Sequence, residues 1–255
     1  MHPEADLPDW RFCRFGLLVT GRGEAEFIPD LFRCLAATGR CSFTILRRIG
    51  QRSPMTSPKR ELRVVGTRKQ IPDRDADEID LPARGHLIQK DSFVVVLDGL
   101  EHNRRPQARE IFERYRGALD AMLESRGLGH RASVHFLVNM LEAYYLANAA
   151  AVNSVLGTSL SDFDGDVEDI RHPKNDLKKL GRGFDEYCHG AQIVARLDVP
   201  HVLSRVGTCA SLRTLFAWCA RAAGVLPTTD CQLDHGAQSI VTGPQMGSLR
   251  TEPHR

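Results

Sequence analysis

The chain has 255 residues, of which 42% are hydrophobic and 26% charged, and its formal net charge is +2. This composition is that of an ordinary globular protein, long enough to bury a core in one large domain or two small ones, and the small net charge does not by itself indicate nucleic-acid binding. The seven cysteines include no CxxC pair and are odd in number, which argues against a zinc ribbon and against a disulfide framework. No apolar run approaches the roughly 18 residues that cross a bilayer, and the acidic, Pro-rich start is unlike a signal peptide, so we expect a cytoplasmic protein without a membrane partner.

The chain begins with a loose leader, residues 1–11, followed by a first predicted strand at residues 15–19. The sequence Thr-Gly-Arg-Gly at residues 20–23 predicts a tight turn into a helix of about residues 24–37, where apolar side chains recur at helical spacing. Residues 42–46 predict a short second strand. Two glycines in a strand-to-helix turn let backbone amides approach a phosphate, but no Gly-Lys-Ser/Thr follows, so the turn is not a P-loop.

Residues 47–90 differ in composition from the rest of the chain. Arginine and lysine mixed with Pro and Ser come first, and a group of aspartates and glutamates follows at residues 73–80. We interpret the stretch as an insertion or long loop rather than a packed layer, and loops of that length are usually functional or mobile. Residues 61–71 predict either a hairpin strand or a helical turn.

Residues 92–97, Ser-Phe-Val-Val-Val-Leu, predict the central strand. A run without polar alternation is typical of a strand that helices cover on both faces of a parallel sheet. Asp98 and Gly99 then close this strand at its carboxyl end, which is the edge where ligands bind in open α/β sheets.

Helices and strands alternate beyond the central strand. Pro106 is well placed in the first turn of a helix that runs to about residue 125, residues 133–138 predict a strand, and residues 139–150 predict another helix. We expect His135, in the middle of that strand, to be a buried core histidine. The alternation predicts βαβ units, and therefore an α/β fold with a mostly parallel central sheet flanked by helices.

The remaining sequence is mainly helical, apart from an acidic stretch at 161–169 that matches a calcium loop poorly and is predicted to be a surface loop. Helices are predicted near residues 150–156, 174–181, 184–197 and 208–223, and the last of them carries the apolar side chains to dock on the core.

Three regions follow from these predictions. An α/β core occupies residues 12–150 with the basic and acidic insertion at about 47–90, and a helical extension packed on that core occupies residues 151–225. Residues 226–255 are rich in Gly, Pro, Thr and Ser and predict a disordered tail.

Four carboxylates are expected at the carboxyl edge of the sheet. Asp98 ends the central strand and Glu101 follows three residues later, a spacing at which two carboxylates can share one divalent cation. Glu24 begins the first helix, and Glu142 follows the later strand. Structural alternatives stay open for each: Glu24 as a partner of the helix dipole, Asp98 as a turn residue, Glu101 as a solvated side chain, and Glu142 in a capping box with Asn139.

Basic side chains border these acids in the sequence. Arg104 and Arg105 follow the central strand, and Lys174 and Lys178 belong to the basic helix near residues 174–181. If the substrate is nucleic acid, they would neutralise its phosphates. The alternative is a solvated helix face, which is the more ordinary explanation for Lys178.

Four short motifs resemble the TOPRIM-like proteins, whose fold is shared by topoisomerase, primase and OLD-type nuclease domains. Val-Thr-Gly-Arg-Gly-Glu at 19–24 resembles their Val-Glu-Gly-x-Thr-Glu, and Asp-Gly-Leu-Glu at 98–101 resembles their Asp-x-Asp or a longer acidic variant. The later strand leads into a Glu-containing helix at 139–145, and residues 173–180 match a Pro-Lys-x-x-Leu-Lys-x-Leu pattern. The resemblance spans roughly residues 14–223 and is closest to a bacterial branch of small stand-alone proteins that are often linked to genome defence.

The resemblance implies a TOPRIM-like core and a Mg²⁺ or Mn²⁺ site whose carboxylates support phosphodiester chemistry, because metals activate water and stabilise the leaving oxygen. Glu24 and Asp98 would be ligands, and Glu101 and Glu142 auxiliary acids. The sequence departs from the family pattern at Thr20, which replaces its first acid, and in the Asp-x-Asp pair, whose second Asp is Leu100. Two hypotheses follow: a metal-dependent nuclease or phosphodiesterase, or a non-catalytic module that binds nucleic acid, a nucleotide or a partner ATPase in a defence complex.

Overall fold

Four parallel strands form the centre of the protein, in a computed structural model that describes residues 11–58, 73–180 and 183–225. The strands are β1 (Cys13–Val19), β2 (Cys41–Arg48), β3 (Ser92–Leu100) and β4 (Ala132–Val138), and they are ordered β2-β1-β3-β4. All three neighbouring pairs are parallel. The predicted α/β fold with a parallel sheet flanked by helices is confirmed.

Short helices connect the strands and continue beyond the last one. They are α1 (Arg22–Leu31), α2 (Arg33–Ala36), a π-helix (Ala76–Asp80) that runs into α3 (Leu81–Leu87), α4 (Ala108–Leu123), α5 (Leu141–Tyr145), α6 (Ala149–Leu156), α7 (Pro173–Lys179), α8 (Cys188–Arg196), α9 (Val199–Ser204) and α10 (Ala210–Ala223). Single 3₁₀ turns lie at Arg105–Gln107, Glu124–Arg126, Gly129–Arg131 and Val167–Asp169. Among the described residues, no helix is both long enough and apolar enough to span a membrane.

The central strand β3 is buried along its whole length because helices cover both faces of the sheet. Phe93, Val95 and Leu97 pack into the core beneath α1 and α10, whereas the alternate residues Val94 and Val96 pack beneath α3 and α4. The connections from β1 and β3 therefore leave on opposite faces. Such a divergence opens a crevice between the carboxyl ends of two neighbouring strands, where ligands bind in open α/β sheets.

The prediction of a loop at residues 47–90 is wrong for the second half of that stretch. Ile79, Ala83 and Leu87 are fully or almost fully buried and pack with the sheet, so the stretch that ends in α3 is the crossover from β2 to β3. The acids of the preceding π-helix concealed the apolar stripe of α3. Residues 61–71 lie outside the described residues.

Two predicted helices differ from the observed ones. The helix of residues 24–37 breaks at Phe32 between α1 and α2, and that of residues 139–150 is shortened to α5. The helix predicted near residues 150–156 is confirmed as α6. The capping box is also wrong: the N-cap of α5 is Met140, with φ 73°, and no side chain caps it. Asn139 instead donates its amide hydrogen to the Glu168 carbonyl at 2.8 Å.

The acidic stretch at 161–169 is not simply a surface loop, because Glu168 is completely buried. Its carboxylate accepts hydrogen bonds from the Tyr144 hydroxyl at 3.1 Å and from the Ser211 amide and hydroxyl at 2.8 and 2.9 Å. These donors compensate for the lost hydration of the carboxyl group. Burial and the Asp166 charge raise the pKa of Glu168 to about 7.

The C-terminal helices share one hydrophobic core with the sheet. The Trp218 ring on α10 meets Phe15 and Phe93 edge-on, at centroid distances of 6.1 and 6.0 Å, so the predicted docking of this helix is confirmed. His135 is buried as predicted, with its ring nitrogen 2.9 Å from the Ser133 hydroxyl. Residues 226–255, the predicted tail, lie outside the described residues.

Candidate functional site

We call the junction of the carboxyl ends of β1 and β3 the crevice, and the backbone of Thr20, Gly21, Asp98 and Gly99 lies at it. Thr20 donates its hydroxyl hydrogen to Asp98 Oδ1 at 2.8 Å and joins the two strand ends. Gly21 is the N-cap of α1, so this helix begins directly at the crevice. The sequence places Asp98 and the start of α1 together because β1 and β3 are neighbours in register.

Asp98 is fully buried and hydrogen-bonded through both carboxylate oxygens. Arg104 donates to Oδ1 at 3.2 Å and to Oδ2 at 2.7 Å, and the Tyr115 hydroxyl donates to Oδ2 at 3.1 Å. Burial and the Asp98 charge raise the pKa of Tyr115 far above its ordinary value, so the phenol stays protonated and remains a donor. With the Thr20 bond, four hydrogen bonds and one ion pair compensate this buried charge.

The same contacts connect Asp98 to the segment that follows β2. Arg104 also donates to the Arg52 carbonyl at 2.7 Å, and the Arg52 amide donates to the Tyr115 hydroxyl at 3.0 Å. The Arg52 side chain is itself buried and paired with Asp75 and Glu78. Asp98 is therefore one member of a continuous buried polar network rather than a carboxylate that faces the crevice.

Glu24 lies against the two glycines of the crevice. A Cβ atom on Gly21 would come within 1.5 Å of Glu24 Oε2, and one on Gly99 would come within 3.0 Å of Oε1, so glycine at 21 leaves the space that this carboxylate occupies. Burial raises the pKa of Glu24, and the charges of Asp98 and Glu186 raise it further, against the lowering effects of its own backbone amide and of Lys174.

Glu142 and Glu186 complete an acidic cluster with Glu24. Glu142 is buried in the first turn of α5, and burial, with the charges of Glu186 and Glu24, raises its pKa to about 7. Lys174 forms an ion pair with Glu186 and is the cation that opposes these shifts. We call Glu24, Glu142, Glu186 and Lys174 the acidic cluster.

Sequence reasoning missed Glu186. It lies half-buried in the segment before α8, and Glu186 Oε1 lies 3.9 Å from the position that a Cβ on Gly23 would take. Its neighbours Asp185 and Tyr187 form no strand-to-helix pattern, so no signal in the sequence marks it. Only the packing of α8 on α1 brings it to the crevice.

The other predicted site residues lie nearby in different surroundings. Glu101 lines a cleft beside the crevice. Arg105 pairs with Asp169 at 2.9 Å and donates to the Glu168 carbonyl at 3.0 Å. Lys178 is exposed on α7.

Within residues 11–58, 73–180 and 183–225, no three His, Cys, Asp or Glu side chains are arranged to hold a metal ion. The donor chemistry of the acidic cluster nevertheless suits Mg²⁺ or Mn²⁺, because two carboxylates with several waters can hold such an ion, and because burial and nearby negative charge raise the pKa of Glu24 and of Glu142. Asp98 does not suit this role, since Arg104, Thr20 and Tyr115 occupy its oxygens.

Comparisons with protein-family models, with curated proteins and with solved structures found no match to this chain. The TOPRIM-like resemblance therefore stays a prediction from the sequence motifs.

The cleft beside the crevice has a volume of about 380 Å³. It is bounded by the loop after β3, the turn between β4 and α5, and the start of α7. Its walls are formed by Glu101, His102, Asn103, Asn139, Met140, Arg171, His172, Pro173, Lys174 and Asn175. Lys174 belongs to both the cleft and the acidic cluster, so the two features are adjacent.

Proposed function

We propose that this protein is a divalent-cation-dependent phosphodiesterase or nuclease of the TOPRIM-like type, in which Glu24 and Glu142 hold the cation together with water molecules. The observation that carries the proposal is the buried acidic cluster at the strand-end crevice, where burial and, to a smaller extent, neighbouring negative charge raise the pKa of Glu24 and of Glu142. A cluster of this kind gains stability from a bound cation. Mg²⁺ or Mn²⁺ is the cofactor that this donor set and the sequence resemblance favour.

The residues of the chain would divide the work as follows. Glu24, in the first turn of α1, and Glu142, in the first turn of α5, would hold the cation, and Lys174 would supply positive charge for a substrate phosphate. Asp98 and Arg104 keep the loop after β3 in place through their ion pair. The bound cation would supply an activated water and neutralise charge on the phosphate.

The test is a screen for hydrolysis of DNA, RNA and nucleotides with and without Mg²⁺ or Mn²⁺. We expect activity in the wild type and a large loss in Glu24→Gln and Glu142→Gln, which keep the side-chain shape and remove the charge. Glu113→Gln is the matched control, because Glu113 is 61% exposed on the outer face of α4. Cleavage that persists at full rate in both cluster variants would overturn the proposal.

Two specific observations favour a second function. Thr20 stands where the resembled family has its first acid, and Asp98 is neutralised by Arg104. Both features are expected of a non-catalytic TOPRIM-like module that binds nucleic acid, a nucleotide or a partner ATPase. Saturable nucleotide binding without turnover, at every metal concentration tested, would select this alternative. The genome-defence setting and a cytoplasmic location belong to either proposal and are supported by the sequence alone.

A further inference from the structure

We propose that the cleft beside the acidic cluster binds the phosphate group of a nucleoside monophosphate, either free or at the end of a nucleic-acid strand. That the ligand is a nucleotide rests on the proposed function. That the cleft takes an anion does not, because it follows from the side chains that form its walls.

Basic side chains outnumber acidic ones in the cleft. Four of its residues, His102, Arg171, His172 and Lys174, carry or can carry a positive charge, against the single carboxylate of Glu101. Arg171 and His172 are exposed, and in the described part of the chain neither forms an ion pair. An arginine with no carboxylate partner at the mouth of a cleft is suited to a phosphate, whose oxygens accept two parallel hydrogen bonds from its guanidinium group.

Two residues that line the cleft also carry buried polar atoms without hydrogen-bond partners among the described residues. Asn139 is 1% exposed, and its side-chain nitrogen is held by the Glu168 carbonyl at 2.8 Å. That bond fixes the orientation of the amide, and Asn139 Oδ1 is left buried without a hydrogen-bond partner among residues 11–58, 73–180 and 183–225. His102 Nδ1 is also buried and has no partner in the described part of the chain, and it can donate to a ligand or accept from one. Buried polar atoms of this kind are rare in folded proteins and are satisfied when a ligand supplies the missing group.

Inorganic phosphate supplies an anion and a hydroxyl donor but fills only a small part of a cleft of about 380 Å³. A nucleoside monophosphate supplies the anion in its phosphate and further donors in its ribose hydroxyls and base amino groups. The volume of about 380 Å³ lies at the lower end of the range for small-molecule sites and suits one nucleotide. Since Lys174 lines the cleft and pairs with Glu186, a phosphate bound there would lie next to the acidic cluster.

The experiment measures binding to the full chain in a metal chelator, so that it is independent of the cation. Inorganic phosphate, AMP and GMP are titrated calorimetrically, and short labelled oligonucleotides with either a phosphate or a hydroxyl at the 5′ end are followed by fluorescence anisotropy. The variants are Arg171→Ala and His172→Ala. Arg126→Ala is the matched control, because Arg126 is an exposed arginine before β4, at the opposite edge of the sheet.

We expect AMP or the phosphorylated oligonucleotide to bind more tightly than inorganic phosphate and than the hydroxyl-ended strand. Arg171→Ala should weaken this binding by about tenfold or more, because it removes a charge-assisted contact, and Arg126→Ala should leave it unchanged. Preference for AMP identifies a free nucleotide, and preference for the phosphorylated strand identifies a strand end. Both results support the proposal.

Equal affinity for phosphate-ended and hydroxyl-ended strands, together with no binding of AMP or GMP, would overturn the proposal. So would unchanged binding in Arg171→Ala and His172→Ala, whose exposed positions allow normal folding, as a thermal melt will verify. Binding in chelator with no metal-dependent hydrolysis would refute the phosphodiesterase and leave the cleft assignment standing. Metal-dependent hydrolysis without binding in chelator would refute the cleft assignment and leave the phosphodiesterase standing.

Discussion

Replacing Asp98 with alanine is expected to lower the free energy of unfolding by about 3–5 kcal/mol, the usual cost of removing one partner of a buried ion pair. The Asp98 side chain is 0% exposed and that of Arg104 14% exposed, and their closest atoms are 2.7 Å apart. Without Asp98 the Arg104 guanidinium would be largely buried without its counter-charge, and the Tyr115 hydroxyl would lose its acceptor. This loss is a large share of the roughly 5–15 kcal/mol that stabilises an ordinary domain.

The assay is equilibrium unfolding in urea, with the midpoint and the slope fitted separately. Glu113→Ala serves as the control, because Glu113 and Arg109 form an exposed pair at 3.1 Å and its loss should cost about 0.5 kcal/mol or less. The double variant Asp98→Ala/Arg104→Ala should be less destabilised than the sum of the two single variants, by about 0.5–3 kcal/mol, since it removes both buried charges.

Two results would refute this reasoning. The first is that Asp98→Ala lowers the free energy of unfolding by no more than the Glu113→Ala control does. The second is that the effects of Asp98→Ala and Arg104→Ala on this free energy add without coupling. Either outcome would mean that the pair is hydrated and leaves Asp98 free for a cation.

Three further predictions concern the crevice and its surroundings. Burial raises the pKa of Glu142 from 4.5 to about 7, so its side chain is protonated near pH 5 and is a destabilising carboxylate above pH 7. In chelator, Glu142→Gln should therefore become more stable than the wild type as the pH rises from 5 to 8, by up to about 3 kcal/mol. A stability difference in urea titrations that does not change with pH would contradict this. Gly21→Ala should change the free energy of unfolding by less than about 1 kcal/mol, because the backbone angles of Gly21, φ −88° and ψ 157°, suit alanine. The same change should lower any Mn²⁺-dependent hydrolysis tenfold to about a hundredfold, because the added Cβ displaces Glu24. Full activity would show that the position of Glu24 is unimportant. Met140 has φ 73° and ψ 172°, a conformation that glycine adopts more easily than alanine. Thermal melts should therefore show that Met140→Gly is more stable than Met140→Ala by about 1 kcal/mol or more. If the alanine variant is the more stable of the two, the backbone at this position is unstrained.

The parallel sheet could be predicted because each of its strands has a local sequence pattern that is typical of a buried strand. The uninterrupted run from Phe93 to Leu97 requires burial on both faces, and the helical stripes between the strands supply the covering layers. The position of Asp98 and Glu24 at the same edge then follows from the rule that parallel strands share their carboxyl ends. The helix at residues 81–87 was missed because its surroundings are acidic and its buried positions are few.

The environment of each acid could not be predicted from the sequence. Whether Asp98 faces solvent or an arginine depends on Arg104 turning back over the strand end and on Tyr115 reaching it from α4. The burial of Glu168 depends on Ser211, 43 positions further along the chain. Glu186 reaches the crevice only through packing of helices distant in sequence.

Titration of the chelator-treated protein with Mn²⁺ by calorimetry tests the central claim most directly, because it asks whether the acidic cluster holds a cation without requiring the substrate. The proposed function predicts saturable binding by the wild type and by Glu113→Gln, and affinity at least about tenfold weaker in Glu24→Gln and in Glu142→Gln, each of which removes one charged ligand. No saturable binding in the wild type, or equal affinity in all four proteins, would contradict it.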